Sequence, residues 1–155
     1  MSDKTSIEST RQQEFVSFRV GAQEFCIDIM SVREIRGWAP ATSIPHAPHY
    51  VRGVINLRGA VLPIVDLAAR LGLPSVEPTA RHVIIVTQIG ERIAGVLVDA
   101  VSDILTTEER SIQDTPDVAS SRARSFLRGV LALDGRMISI ITVENILPAA
   151  ELEAA

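Results

Sequence analysis

Residues 52–67 read RGVINLRGAVLPIVDL, and residues 128–143 read RGVLALDGRMISIITV. When the two stretches are aligned without a gap, six of the sixteen pairs are identical, including both glycines of each stretch. Five more pairs exchange one large apolar residue for another. Self-similarity of this kind predicts that the chain builds one structural unit twice. The positions at which the two copies differ are therefore the first candidates for function.

The composition narrows the classes of protein that this chain can belong to. With 155 residues and 46% hydrophobic content, it is long enough for one domain or two small lobes. The net charge of -4 argues against binding to nucleic-acid phosphates, which usually requires a basic excess. No apolar run reaches the ~18 residues of a membrane helix, so we expect no membrane insertion. The single cysteine, Cys26, fits a reducing cytoplasm.

Both halves of the chain begin with the pattern of a β-hairpin. Residues 14–20 and 25–29 alternate apolar and polar side chains on either side of a glycine turn, which is the period of a half-buried strand. The second half also predicts a hairpin: a continuous apolar run at 83–86, consistent with a strand buried on both faces, then a turn at Gly90 and a return strand at 93–101.

An acidic V-x-[D/E]-I step follows each hairpin, at residues 32–35 and, 69 residues later, at 101–104. The two RGV motifs are 76 residues apart, so the second copy carries seven extra residues, which fall within 106–125. That segment is rich in Ser, Thr, Asp and Arg, which predicts a longer surface loop with one short strand near Ser111.

Each copy ends in a short helical pattern. Asp66 and its counterpart Thr142 are good N-cap residues, because a side-chain oxygen can accept a free backbone N–H. Apolar residues four apart follow each cap, and a proline comes after each pattern.

Five short strands and one helical turn per copy predict an all-β protein with minor helix. Since a lone sheet of this size exposes its edges, we expect two small five-stranded β-barrel subdomains packed on a shared apolar interface. Their approximate bounds are 14–73 and 81–147, within a domain spanning 14–148, and an exchange of terminal strands between them is left open. Residues 1–13 and 149–155 are expected to form tails.

Motifs for catalysis, cofactors or metals are missing. The sequence contains no phosphate loop, dinucleotide glycine pattern or G-x-S-x-G elbow. His46 and His49 have a spacing that two metal ligands can use, but no further ligands accompany them, so a proline-rich connector is the better interpretation. We therefore predict no catalytic, cofactor-binding or metal-binding residue.

The two copies differ where the first has Asn56 and Arg58 and the second has Ala132 and Asp134. We predict that Asn56 and Arg58 lie on the strand face opposite their apolar neighbour. There the guanidinium can pair with a carboxylate, with Glu34 as the internal candidate. The alternative, equally favoured, is that Arg58 is a solvated turn residue.

The matched glycines at 53/129 and 59/135 are interpreted as bends or close backbone contacts.

Four segments in this order resemble the CheW-like family of chemotaxis coupling proteins: SVREIRG (31–37), RGVINLRGAVLPIVDL (52–67), GVLVDAVSDIL (95–105) and FLRGVLALDGRMISIITVENIL (126–147). The resemblance covers nearly the whole chain, from about residue 14 to residue 147. It implies two five-stranded barrels of the Src-homology kind on a shared apolar interface, which agrees with the internal duplication.

The same resemblance implies a stand-alone, non-enzymatic scaffold without cofactors. It would couple methyl-accepting chemoreceptors to the histidine kinase CheA, by binding the receptors' cytoplasmic tips and the kinase's regulatory domain. We expect a cytoplasmic protein, mostly monomeric outside the membrane receptor arrays to which it is recruited, with no nucleic-acid partner. The alternative is a small-molecule-binding or enzymatic protein that uses the groove between the barrels.

By resemblance, the family's functional acidic residue and arginine correspond to Glu34 and Arg58. The whole set of protein-binding residues predicted in this way is Val32, Glu34, Ile35, Gly53, Asn56, Arg58, Val83, Val101 and Gly129. The loop at 107–125 resembles the family least.

Overall fold

The computed structural model describes residues 11–115 and 124–148, and ten strands account for most of them. Of the predicted tails and the long loop, residues 1–10, 116–123 and 149–155 lie outside the described residues. The strands are β1 (Gln12–Val20), β2 (Gln23–Asp28), β3 (Val32–Gly37), β4 (Val51–Leu57), β5 (Ala60–Asp66), β6 (Val83–Ile89), β7 (Arg92–Val98), β8 (Ala100–Glu108), β9 (Leu127–Leu133) and β10 (Arg136–Ile141). Two short helices follow β5 and β10, namely α1 (Leu67–Arg70) and α2 (Val143–Ile146).

The strands form two five-stranded sheets, which confirms the predicted all-β architecture with minor helix. Sheet I has the order β8-β1-β2-β10-β9, and sheet II has the order β3-β6-β7-β5-β4. The sequence segments 14–73 and 81–147 each contribute strands to both sheets. The β1–β2 hairpin of the first copy joins three strands of the second, and the β6–β7 hairpin of the second copy joins three strands of the first.

Each inserted hairpin pairs on both sides with strands of the other copy. On one side the pairing is antiparallel, β1 with β8 and β6 with β3. On the other side it is parallel, β2 with β10 and β7 with β5. Both copies use the same pattern, so the exchange follows the internal duplication.

The exchange buries the inserted hairpins on both faces. In β2, Phe25 and Ile27 belong to a large apolar cluster between the two sheets. Cys26, on the other face of the strand, belongs to a smaller apolar cluster formed by sheet I residues. In β6, Ile85 belongs to the cluster between the sheets. Ile84, on the other face of the strand, belongs to a smaller apolar cluster formed by sheet II residues. We call the cluster between the sheets the shared core. Its buried residues are Phe18, Val20, Phe25, Ile27, Leu67, Ala68, Ile85, Ala94, Val96, Val98, Phe126, Ile141, Val143, Ile146 and Leu147.

Three sequence predictions of local structure are wrong. The return strand expected at 93–101 breaks at Asp99, whose N–H donates to the carbonyl of Arg19 at 3.0 Å, because here the chain crosses from sheet II to sheet I. The short strand expected near Ser111 is a 3-10 turn (Glu109–Ser111), since only an isolated bridge at Gln113 follows it.

The third concerns the two predicted helix caps. Asp66 caps α1 as expected, since its carboxylate accepts from the N–H of Ala69 at 3.3 Å. Thr142 makes no side-chain cap; its backbone carbonyl accepts from the N–H of Asn145 instead. Within residues 11–115 and 124–148, no helix is long and apolar enough to cross a membrane.

The glycine of each RGV motif, Gly53 or Gly129, permits a close backbone contact, as the sequence predicts. Beyond the edge strand β3, the chain crosses to the opposite edge of sheet II, where Thr42 and Val54 exchange backbone hydrogen bonds of 2.9 and 2.8 Å. A Cβ on Gly53 would lie 2.3 Å from the carbonyl oxygen of Thr42. In sheet I, a Cβ on Gly129 would lie 2.5 Å from the carbonyl oxygen of Gln113.

Substitution of Gly53 by alanine is expected to destabilise the fold by about 2–4 kcal/mol, the sum of a steric clash and backbone strain. The strain arises because Gly53 has a φ of 139°, which alanine rarely adopts. Urea unfolding measures the change. The matched control is Gly37→Ala, since a Cβ at Gly37 meets nothing within 4 Å. Equal stability of the two variants would contradict the proposed role of the contact.

Candidate functional site

The turn between β4 and β5 carries the residues that distinguish the two copies. Leu57 pairs with Ala60, so Arg58 and Gly59 form a two-residue hairpin turn. Both residues have positive φ, 51° and 86°, which is the geometry that matches the twist of two antiparallel strands. The Oδ1 atom of Asn56 accepts from the N–H of Gly59 at 3.0 Å and stabilises the turn.

This geometry corrects the prediction that Arg58 lies on a strand face. Asn56 is a strand residue, but Arg58 occupies the turn, because a two-residue loop closes the hairpin directly after Leu57. The second copy has the same turn, with Asp134 at a φ of 52° followed by Gly135 at 77°.

Arg58 also forms the predicted ion pair. It is therefore both an exposed turn residue and the partner of Glu34. Its Nη2 atom donates to Oε1 of Glu34, which lies on the neighbouring edge strand β3. The Nη1 atom of Arg36 lies 3.8 Å from the other carboxylate oxygen of Glu34. The side chain of Arg58 is 68% exposed, whereas that of Glu34 is 31% exposed. We call Glu34, Arg36, Asn56 and Arg58 the charged corner of sheet II.

The charged corner keeps Glu34 ionised. The hydrogen bond from Arg58 lowers the pKa of Glu34 below its ordinary value of 4.5. Partial desolvation opposes this shift, while the positive charges of Arg58, Arg36 and Arg33 add to it. Because the pKa of Glu34 is lower in the folded state, its ionised side chain stabilises the fold at pH values above its unfolded-state pKa. This stabilisation is lost as the pH falls through its folded-state pKa.

The corresponding place in sheet I has different chemistry. The counterpart of Glu34 is Asp103, whose carboxylate accepts from the buried hydroxyl of Ser17 at 2.5 Å. In sheet II the residue paired with Glu34 is Val86, which offers no hydroxyl, and the carboxylate therefore turns to Arg58. Since Arg58 is replaced by Asp134, the sheet I counterpart of the corner carries two acidic side chains.

Apolar surface surrounds the charged corner. A shallow depression beside it is lined by Arg33, Glu34, Leu57, Arg58, Ala60, Leu62, Val86 and Ile93. Val61, the strand partner of Asn56, is 66% exposed. Ile35 is 45% exposed, on the face of β3 opposite to that of Glu34. Their counterparts in the other copy, Ile104 and Met137, are each 59% exposed. Exposed apolar side chains of this size, placed next to charged groups, are typical of protein-binding surfaces.

The sequence predictions missed Val61, Ile104 and Met137 as candidate binding residues. A signal for them was present, because Ile35 and Ile104 occupy equivalent positions of the acidic steps, and Val61 and Met137 occupy equivalent positions of the RGV repeat. Apolar residues at both members of a pair looked like core positions, and only the folded chain shows that they face outward.

The other predicted binding residues lie elsewhere. Val32, Val83 and Val101 are partly buried and pack against the shared core. Gly53 and Gly129 lie in different sheets at the close backbone contacts described above, so their conformation has a structural cause of its own. Of the nine predicted residues, the structure brings together Glu34, Asn56 and Arg58. Ile35 follows Glu34 on β3, but its side chain lies on the other face of the strand, because it pairs with Ile85 of the shared core.

Ionisable groups near the junction of the two sheets are paired with one another. The Nε2 atom of His82 lies 3.5 Å from a carboxylate oxygen of Asp99. Buried Asp66 accepts from Arg52 at 3.0 Å and from the hydroxyl of Ser75 at 2.6 Å.

Burial raises the pKa of the Cys26 thiol to about 12, which keeps it protonated. Across the part of the chain that the structure describes, no group of three or more His, Cys, Asp or Glu could hold a metal ion.

Comparison with known proteins gives consistent matches. Residues 14–151 match the family model of the CheW-like domain. The chemotaxis protein CheW of Rhizobium meliloti (strain 1021) is 64% identical over 143 residues, which cover 92% of each chain. The chemotaxis protein CheW of Klebsiella aerogenes is 38% identical over 140 residues, covering 90% of this chain and 84% of the other. The crystal structure of the scaffolding protein TtCheW from Thermoanaerobacter tengcongensis aligns with a TM-score of 0.82 at 29% identity, covering 90% of this chain and 95% of that one.

Removal of the Arg58 guanidinium is expected to raise the pKa of Glu34 towards 4.5, because the hydrogen bond from Arg58 is the largest cause of its lowering. Carboxyl 13C chemical shifts recorded as a function of pH in Arg58→Ala measure the change. Arg110→Ala is the matched control, since Arg110 pairs with Glu108 and not with Glu34. A Glu34 pKa that is identical in the wild-type protein and in Arg58→Ala would show that the ion pair does not form in solution.

Proposed function

The chain belongs to the family of CheW-like domains, and on that premise we propose that it is a non-enzymatic chemotaxis scaffold that couples methyl-accepting chemoreceptors to the histidine kinase CheA. The relatives named chemotaxis protein CheW and the related structure titled a scaffolding protein support the general role. The observation that carries the proposal for this chain is the charged corner of sheet II, with exposed apolar side chains beside it.

The charged corner is suited to docking because Arg58 is both held in place and still available. Its contact with Glu34 uses one of the guanidinium nitrogens, and an arginine carries five N–H donors in a fixed fork. The free side of the fork can bind a carboxylate of a partner. Because Glu34 already restricts the side chain, less conformational entropy is lost on binding.

We propose that this corner and its apolar surroundings contact the regulatory domain of CheA. A partner surface that fits it presents apolar side chains opposite Val61 and the depression beside the corner, and an acidic group opposite Arg58. Charge complementarity of this kind contributes mainly to the specificity and the rate of association, while the apolar contacts supply most of the affinity.

We propose that the receptor tips bind along the rim of the shared core. Val32, Val83 and Val101 are partly buried there and come from three different strands. A helical receptor tip would bind by placing an apolar face against these side chains, in the manner of a helix in an apolar groove. In this proposal the protein works in the cytoplasm, is mostly monomeric outside the array and is recruited to membrane receptor arrays by these two contacts.

The scaffold is favoured over a small-molecule-binding or enzymatic role in the groove between the sheets. An enzyme needs convergent ionisable groups that are free to transfer protons or attack a substrate. The ionisable groups described at this junction are each paired within the protein, His82 with Asp99 and Asp66 with Arg52.

Reversal of the charge at Arg58 is expected to weaken coupling by about tenfold or more, equivalent to about 1.4 kcal/mol for each factor of ten. Arg58→Glu removes the partner contact and places a second carboxylate beside Glu34. The measurement is the rate of CheA phosphorylation in reconstituted receptor membranes, together with co-sedimentation of the protein and the kinase. Arg110→Glu is the matched control, because Arg110 is also an exposed arginine that pairs with one glutamate.

A double charge swap, Glu34→Arg with Arg58→Glu, separates the internal role of the pair from its docking role. The swap restores the internal ion pair but reverses the charge offered to a partner. We expect coupling to stay weak in the double variant. Full rescue by the swap would mean that the pair acts only within the protein, and unchanged coupling in folded Arg58→Glu would exclude Arg58 from docking.

A further inference from the structure

Arg70, the last residue of α1, lies between two aromatic rings. Its guanidinium carbon is 4.0 Å from the ring centroid of Tyr50 and 4.9 Å from that of Phe126. Tyr50 and Phe126 are 76 residues apart, which is the offset between the two RGV motifs, so they occupy equivalent positions of the duplicated unit. Both rings are buried, at 9% and 6% exposure. The guanidinium of Arg70 therefore contacts the aromatic residue that occupies this position in each copy.

Arg70 also binds the C-terminal end of α2, the helix of the second copy that corresponds to α1. Its Nε atom donates to the carbonyl oxygen of Ile146 at 3.2 Å, and its Nη2 atom donates to that of Asn145 at 3.1 Å. These carbonyls belong to the last turn of α2, where a positive charge is favoured. Ile146 is the residue equivalent to Arg70, and it is fully buried. The contact is thus asymmetric, because only the first copy supplies a cation.

The largest part of the remaining contact between the sheets is apolar, and this part has little directional preference. The shared core consists of aliphatic and aromatic side chains, whose burial is favourable over a range of relative orientations. A planar guanidinium with aromatic rings against it and two directed hydrogen bonds permits far less rotation. Other directed contacts also join the two sheets. Nη2 of Arg92 donates to the carbonyl oxygen of Pro148. At the crossover from β7 to β8, the N–H of Asp99 donates to the carbonyl of Arg19, and its carboxylate accepts from the N–H of Gly21 at 2.8 Å. Arg70 differs from them in joining the equivalent helices α1 and α2.

We propose that Arg70 is a positioning residue that fixes the angle between sheet I and sheet II. Its removal leaves the shared core in place but allows the two sheets to rock against each other. The consequence for docking rests on the proposed function, since a scaffold that presents surfaces on both sheets needs a defined angle between them. The angle itself is a property of the isolated protein and can be measured without any partner.

The test is the distance between nitroxide labels on the two sheets, measured by pulsed dipolar EPR. Exposed Glu91, between β6 and β7, and exposed Ala132, in β9, are changed to cysteine for labelling. The native Cys26 is fully buried and stays unlabelled. In Arg70→Met, which keeps the bulk but removes the charge and the donors, we expect the distribution to widen or its mean to shift by about 1–2 Å, the size of helix displacements at packed interfaces.

Arg70→Lys is expected to give an intermediate distribution, because lysine keeps the charge but lacks the planar fork. Arg110→Met, which removes an arginine with a local partner, is expected to leave the distribution unchanged. Circular dichroism and Tm confirm that each variant is folded.

A folded Arg70→Met variant with the wild-type distribution would overturn the proposal. If Arg70→Met does not fold, Arg70→Lys decides by the same criterion, and a wild-type distribution in that variant overturns it equally. Because the isolated protein is measured, this result is independent of whether the protein couples receptors to a kinase, which the Arg58 variants test.

Discussion

The shared core between the two sheets is the constraint on which the rest of the structure depends. Each copy of the repeated unit donates a two-stranded hairpin to the sheet of the other copy. Without the donated hairpin, β8 would lose its partner β1 and β10 its partner β2, which would leave open strand edges in the middle of a sheet. The same hairpins supply the shared core with apolar side chains from both copies. The two halves therefore depend on each other as one folding unit, and neither sheet can be assembled from one copy alone.

Duplication supplies two similar surfaces, and small sequence differences give them different chemistry. Both copies make the same two-residue turn after β4 and β9, with positive φ at Arg58 and Asp134. One turn carries a cation and the other a carboxylate. The difference extends to the neighbouring strand, where Ser17 binds Asp103 but Val86 leaves Glu34 free to bind Arg58. A scaffold gains from such asymmetry, because two faces with different charge patterns discriminate between partners.

Local patterns predicted the structure well wherever the determining interaction lies close in sequence. The first hairpin follows from alternating apolar residues around a glycine turn, and the second from a continuous apolar run, a glycine turn and a return strand. The cap at Asp66 follows from a carboxylate three residues before an N–H that needs a partner. The predictions failed where a distant contact decides. The break at Asp99 depends on its bond to Arg19, which belongs to the other sheet. The exposure of Val61 and Met137 depends on which face of each sheet the shared core covers.

The sequence by itself determined that the protein is all-β, that it is built from one unit used twice, and that Glu34 and Arg58 are candidates for a functional pair. These conclusions need only the period of apolar residues, the repeat and the difference between its copies. The tertiary structure alone decided that the copies exchange hairpins, that the pair lies beside a depression lined by apolar residues, and that Arg70 lies between Tyr50 and Phe126. The physical reason is that strand pairing and side-chain packing join residues far apart in the chain, and alternation along a strand does not specify which strand lies next to it.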